Sequence, residues 1–173
     1  FTFSNQVNSL MDNDFTLDLY FLMDIRDGET DIFSHRNGCA SLDSLMSLRY
    51  FSNTNELVFE IGSNVNNYFS IRQRLSPNIC WHRFTLVKFG LLYFVYFDNV
   101  LEKSIVSRET ISLSKSGLFR IANSPCNSQN QALKFKGFID EIVMYKRALS
   151  DRELLNNYRF PDQIRTTNTT IFK

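Results

Sequence analysis

Few residues in this chain combine type and spacing in a way that could make or break bonds. Asp140 and Glu141 are adjacent. In an extended strand neighbouring side chains leave opposite faces, so these carboxylates cannot flank one substrate bond. Retaining glycoside hydrolysis, by contrast, needs two carboxyls about 5 Å apart. Asp140 therefore reads as an anchor for a neighbouring loop, and Glu141 as a solvated charge. His35 and His82 are the only histidines. His82 stands beside Trp81 in an alternating run and reads as structural and partly buried. No spacing suggests a serine–histidine–carboxylate triad, although triads are assembled in space. Cys39, Cys80 and Cys126 are too far apart for a zinc ribbon or a CxxC redox motif. Their odd number leaves at least one unpaired or paired to another chain; buried thiols and a single disulfide both remain open.

What remains is recognition chemistry. The segment 122–131, Ala-Asn-Ser-Pro-Cys-Asn-Ser-Gln-Asn-Gln, is the most polar long connection in the chain. Its amides Asn123, Asn127, Gln129 and Asn130 can donate and accept at once. Loops on a rigid scaffold carry function disproportionately, so these four residues are the candidate binding set. The competing interpretation is a solvated connection.

Composition narrows the partner classes. Net charge is +1, and no run of Lys and Arg stands out. Nucleic-acid binding, which needs clustered cations to displace counterions, is excluded as an expectation. The longest apolar run, Leu91 to Phe97, is of strand length and falls short of the roughly 18 to 20 residues of a membrane span. The chain opens on Phe1 rather than Met, as expected of a processed chain or an excised part of a larger protein. One sequon, Asn168-Thr169-Thr170, gives slight support to secretion.

The elements that must position any site read as strands. Among the 173 residues 43% are hydrophobic and 17 are Phe, and the dominant period is two. Phe15, Leu17, Leu19, Phe21 and Met23 share one face, with Thr16, Asp18 and Tyr20 on the other. Thr30 to Ser34 reads as a second strand, Ser44 to Phe51 and Glu56 to Ile61 as a hairpin, and Tyr68 to Gln73 as a further strand. Trp81 to Phe89 alternates cleanly. Leu91 to Phe97, apolar on both faces, reads as centrally buried. Asp98-Asn99 is a two-residue turn tolerant of positive φ, followed by Val100 to Ile105, Gly117 to Ala122 and Leu133 to Tyr145. The one helix, Asp151 to Tyr158, starts at a capping box formed by Ser150 and Glu153. Many short strands without strand–helix alternation predict an all-β, antiparallel jelly-roll sandwich over residues 1–160. Residues 161–173 read as a tail or linker.

The segment Gly137-Phe138-Ile139-Asp140-Glu141-Ile142-Val143-Met144-Tyr145-Lys146-Arg147-Ala148-Leu149-Ser150-Asp151-Arg152-Glu153 resembles the closing motif of concanavalin A-like domains of the laminin G and pentraxin type. There a last strand reading G-x-I-D-E-V-x-I-Y runs into N-R-A-L-S and a short capped helix. Asp14 to Phe21 is similar to the family's early strand. Trp81 to Val87 with Tyr93 to Val100 is similar to its W-x-H strand and Y-x-D-G turn. Three departures mark a divergent member. Asn99 stands where Gly is usual, Tyr20 or Phe21 replaces a Trp, and no Cys follows Cys126 to form the C-terminal disulfide of many laminin G domains. The resemblance implies a laminin G-like, concanavalin A-like module that is not an enzyme; the E-x-D-x-E strand of hydrolases sharing the fold is absent. It also implies secretion or display on a cell or virion surface, as in adhesion, and a glycan or protein ligand. Calcium held by oxygen ligands at one rim is implied too, with Asp27, Asp31 and Asn123 as candidate ligands. A structural or self-assembling module of a virion, fibre or complex is the alternative, and a carbohydrate-active enzyme the second.

Overall fold

The computed structural model describes residues 11–23, 28–75, 81–113, 117–126, 134–159 and 169–172. In chain order the strands are β1 Phe15–Met23, β2 Glu29–Arg36, β3 Leu45–Phe51, β4 Glu56–Asn64, β5 Asn67–Arg74, β6 His82–Phe89, β7 Leu92–Phe97, β8 Val100–Val106, β9 Leu118–Ile121 and β10 Gly137–Tyr145, with β11 Thr169–Phe172 after the helix α1, Asp151–Arg159. One sheet has the order β11-β10-β1-β6-β7-β8, the other β5-β4-β3-β2-β9. Every recorded strand pairing is antiparallel. The jelly-roll sandwich is thus the observed fold. Residues Thr169–Phe172, which the sequence reading placed in a tail, instead add an edge strand to β10.

Phenylalanines close the two sheets over each other. Phe84 on β6 lies 5.6 Å from Phe33 and 5.1 Å from Phe59 on the facing sheet, and 5.4 Å from Phe97 on its own. Tilted aromatic pairs at this distance add to the gain from burial alone. The alternation in β1 and β6 is observed as read: Phe15, Leu17, Leu19, Phe21, Phe84 and Leu86 are all buried in this interior. Asp98 and Asn99 take φ of 48° and 67°, the twist that a two-residue hairpin turn requires. Gly137 opens β10 where a Cβ would meet the Leu22 carbonyl oxygen at 2.0 Å.

On β7 the inner residues Tyr93, Val95 and Phe97 enter the core and the outer residues Phe94 and Tyr96 pack in the cluster beneath the helix, which explains why this strand is apolar on both faces. Helix α1 lies over its outer face, packing Leu149 and Leu154 against Val87, Tyr96, Val143 and Tyr145. The capping box forms as read: the Ser150 N–H donates to Glu153 Oε2 at 2.9 Å, and the Glu153 N–H donates to Ser150 Oγ at 3.4 Å. A hydrogen bond from Arg147, joined by the Ser150 amide, draws the Glu153 pKa down to about 2. Beneath the helix, Arg83 donates from Nε and Nη2 to the two oxygens of Asp18 at 2.8 and 2.5 Å, and from Nη1 to the Leu154 carbonyl at 3.1 Å. Asp18 also accepts from Thr85 Oγ1 at 2.8 Å.

The histidines are structural, as the sequence indicated for His82. The Nδ1 of His82 meets Asp98 Oδ2 at 2.9 Å, and its ring packs 5.8 Å from Phe21. His35 is wholly buried, with Nδ1 2.8 Å from the Ser44 carbonyl, which only a protonated Nδ1 can satisfy. Cys39 and Cys126 form a disulfide, which settles one of the alternatives left open by the odd cysteine count. Cys80 lies outside the described residues.

Two stability predictions follow from these buried groups. Asp18→Asn leaves the Arg83 charge buried without its counter-ion and should cost about 3–5 kcal/mol, read from denaturant unfolding at pH 7. His35 has a pKa lowered by burial. Its contribution is complete above the unfolded-state pKa near 6.5. It is lost as the pH falls below that value, because the unfolded chain takes up a proton that the native site resists. His35→Asn, which keeps a donor for Ser44 but cannot titrate, should flatten the decline in unfolding free energy between about pH 6.5 and 5.

Candidate ligand-binding face

Alternation in the five-stranded sheet sends polar side chains outward in rows. Asp31, Arg49, Val58 and Arg72 stand opposite one another across β2, β3, β4 and β5, and Arg120, Ser34, Ser47, Glu60 and Ser70 form the next row from β9 to β5. A bulge between Asp31 and Phe33 lets Ile32 and Phe33 both face the core while Asp31 and Ser34 face out. Arg36 follows Ser34 on the same side. Gly62 makes room for Tyr68, since a Cβ there would meet Tyr68 Cα at 3.0 Å.

Charge pairing organises this face. Arg36 Nη2 donates to Ser47 Oγ at 2.6 Å and to Glu60 Oε2 at 3.1 Å, and the Tyr68 hydroxyl donates to Glu60 Oε1. Arg49 Nε lies 3.3 Å from Asp31 Oδ1, and its Nη1 is 3.6 Å from Glu29. Arg49 and Arg72 both stack 5.9 Å from the Phe51 ring centre. Burial alone would raise the Glu60 pKa, but the Tyr68 hydroxyl and the Arg36 and Arg49 guanidiniums outweigh it and hold the carboxyl below its usual value. An acid held ionised in this way cannot deliver a proton at neutral pH. Burial, with Glu60 beside it, pushes Tyr68 up to about 12, so that its hydroxyl remains a donor.

Three buried atoms here lack a hydrogen-bond partner: Asp31 Oδ2, Ser34 Oγ and Arg36 Nε. A buried polar atom left unsatisfied costs about 1–3 kcal/mol. All three lie on one side of β2. The disulfide lies over this region, with Cys126 Sγ 3.5 Å from Arg49 Nη2 and 3.8 Å from Arg36 Nη1. The face opens towards both edges, where Ser70 and Arg72 are exposed on β5 and Arg120 is half-buried on β9. Arg120 Nη1 donates to the carbonyls of Arg36 and Leu118, at 3.2 and 3.4 Å.

The residues singled out in the sequence meet this face only in part. Asp31 belongs to it, but as a fully buried strand residue clasped by Arg49 rather than as a loop ligand. Asn123 is exposed and accepts the Ser124 N–H at 2.9 Å, the bonding of a turn residue. Asp27, Asn127, Gln129 and Asn130 lie outside the described residues. Among the described residues no three His, Cys, Asp or Glu side chains converge as a metal-binding group. Asp140 and Glu141 are both exposed, and Asp140 Oδ1 accepts the Glu141 N–H at 2.9 Å within a bulge where Glu141 has φ 49°. Arg36, Arg49, Glu60, Tyr68 and Arg120 were missed. For Arg36, Arg49 and Tyr68 the signal was the polar residues that recur with period two in β2, β3 and β5.

A family model described as the concanavalin A-like lectin/glucanase superfamily, of the laminin G type, matches residues 1–155. No curated protein matches the chain. Among solved structures, the CBM40 domain of the Ruminococcus gnavus IT-sialidase superposes with a TM-score of 0.67 at 14% identity, over 87% of this chain and 84% of that one. The same domain bound to α2,3-sialyllactose gives 0.65 at 13% identity, over 83% and 80%. The binding domain of botulinum neurotoxin DC, in complex with rat synaptotagmin II, gives 0.62 at 16% identity, over 92% of this chain and 38% of that one. With its sandwich, closing strand and capped helix in place, and the family model spanning most of its length, the chain belongs to the concanavalin A-like lectin/glucanase superfamily.

Proposed function

We propose that this chain is a non-catalytic recognition module that binds an acidic glycan, outside the cell or on a cell or virion surface. The ligand face is the outer side of the five-stranded sheet. The observation that carries this reading is the arginine, serine and carboxylate array on that side, which reaches solvent at Ser70, Arg72 and Arg120. Guanidinium forks match carboxylate geometry, and paired hydroxyls and amides suit sugar hydroxyls. Arg120 brings a cation that bonds the carbonyls of Arg36 and Leu118 rather than an acid. The similar CBM40 structures with bound sialyllactose support the ligand class. The calcium set Asp27, Asp31 and Asn123 carries over as a proposal of the same kind. The unpartnered Asp31 Oδ2 favours it, and the Arg49 guanidinium beside Asp31 Oδ1 opposes it.

A second reading, assembly or a protein partner, draws on edge strand β8, where Val100, Leu101 and Val106 are 59%, 48% and 70% exposed. Unpaired apolar edges invite pairing.

Calorimetry with α2,3- and α2,6-sialyllactose, using lactose as the neutral control, tests the first reading. Saturable binding of the acidic sugars is expected. Arg120→Gln should weaken it about 10–100-fold, the equivalent of one charge-assisted hydrogen bond at about 1.5–3 kcal/mol, with unchanged thermal unfolding. Loss of binding in a chelator, restored by Ca²⁺, would support the metal set. Absence of binding to either sialyllactose, together with self-association in sedimentation velocity, would select the assembly reading.

A further inference from the structure

The two sulfurs of the Cys39–Cys126 disulfide sit in unlike surroundings. Cys126 is wholly buried, and its N–H donates to Ser124 Oγ at 3.1 Å, which holds it in place. Its sulfur lies 3.5 Å from Arg49 Nη2 and 3.8 Å from Arg36 Nη1. Both guanidiniums are themselves withdrawn from water, with side chains 14% and 5% exposed. Their carboxylate partners use other nitrogens: Asp31 and Glu29 meet Arg49 at Nε and Nη1, and Glu60 meets Arg36 at Nη2. The N–H groups of Arg49 Nη2 and Arg36 Nη1 are thus left to face the Cys126 sulfur. Cys39, by contrast, is partly exposed in the turn that follows β2, and Arg36 Nη1 meets it at the carbonyl oxygen, at 3.2 Å. Among the described residues no heavy atom beyond the chain neighbours lies within 4 Å of where a Gly38 Cβ would stand, so the turn beside Cys39 is open.

We propose that Cys39 is a site of S-thiolation, at which a small anionic thiol forms a mixed disulfide while Cys126 departs as a thiolate onto Arg36 and Arg49. The incoming thiolate bonds to Cys39 Sγ as the Cys39–Cys126 bond breaks, and the electron pair of that bond stays on Cys126 Sγ. One disulfide replaces another, so no oxidant or reductant is consumed. Exchange of this kind is fastest when the attacked sulfur is accessible and the departing thiol is acidic. Cys39 meets the first condition. Cys126 meets the second, because neighbouring arginines favour a thiolate. Asp31, Glu29 and Glu60 offset part of that charge, and Arg120 of β9, bonded to the Arg36 carbonyl at 3.2 Å, adds to it. The same cations draw in a thiol that carries carboxylates. The adduct persists, because a thiolate stabilised by two guanidiniums is a weak nucleophile for closing the ring again. This chemistry makes no use of the glycan ligand and stands independently of it.

Cleavage after Lys and Arg puts the three cysteines on separate peptides, 37–49, 75–83 and 121–134. The oxidised protein is incubated with millimolar glutathione at pH 7, quenched with N-ethylmaleimide and mapped by mass spectrometry. Glutathione on the Cys39 peptide with maleimide on the Cys126 peptide is expected, exceeding the reverse arrangement about tenfold or more. Exposure of Cys39 alone would give the same map, so the role of the arginines is read separately. In the glutathione adduct, the rate of Cys126 alkylation against pH should reveal a thiol that titrates below the ordinary value of about 8.5. Arg49→Gln should raise that midpoint and slow glutathione uptake about three- to tenfold, and Arg49→Lys, which keeps the charge, should recover most of the rate. Glutathione chiefly on Cys126, no adduct after several hours, or a Cys126 thiol that titrates at or above about 8.5 overturns the proposal in the wild-type chain, without recourse to a variant. Uptake unchanged in an Arg49→Gln protein that melts as the wild type does overturns it as well.

Discussion

Arg83 is the tie on which the arrangement of this domain depends. It reaches from the start of β6 to Asp18 on β1, to Asn99 in the β7–β8 turn and to the backbone of α1. A guanidinium removed from water is stable only when its donors are met, and these partners meet them on three sides. The consequence is positional. The helix is fixed over the six-stranded sheet, so the outer face of that sheet is divided between a covered half and an open half.

The two sheets have diverged accordingly. The six-stranded sheet solves its outer-face problem with hydrophobic cover from α1, and its β7 residues can be apolar on both sides. Among the described residues no α-helix lies over the five-stranded sheet. It fills its outer face with arginines, serines and the carboxylates Asp31 and Glu60, which bond one another across the strands. A polar array of this kind is energetically tolerable only when nearly complete.

Much of the fold was legible because it is dictated locally. The period-two run through β6, the positive-φ pair Asp98-Asn99 and the Ser150–Glu153 box each depend on residues within a few positions of one another, and each appears as read. The ligand face was less legible because its meaning is not local. The resemblance offers Asp31 as a calcium ligand at the rim, yet a bulge at Ile32 and a hairpin register bring Arg49 against it from 18 residues away. Arg36 finds Glu60 only after two strand pairings are set. The last strand, Thr169–Phe172, was hidden because four residues are too few to show a period.

The bridge between Cys39 and Cys126 joins positions 87 residues apart, enclosing half the chain in one covalent ring. A ring of that size removes roughly 4–5 kcal/mol of chain entropy from the unfolded ensemble. It also ties down the backbone that lies over Arg36 and Arg49. A cell compartment that keeps thiols reduced would therefore yield a less durable domain and a differently shaped arginine surface from the same polypeptide. The choice of expression host is thus a structural variable for this protein.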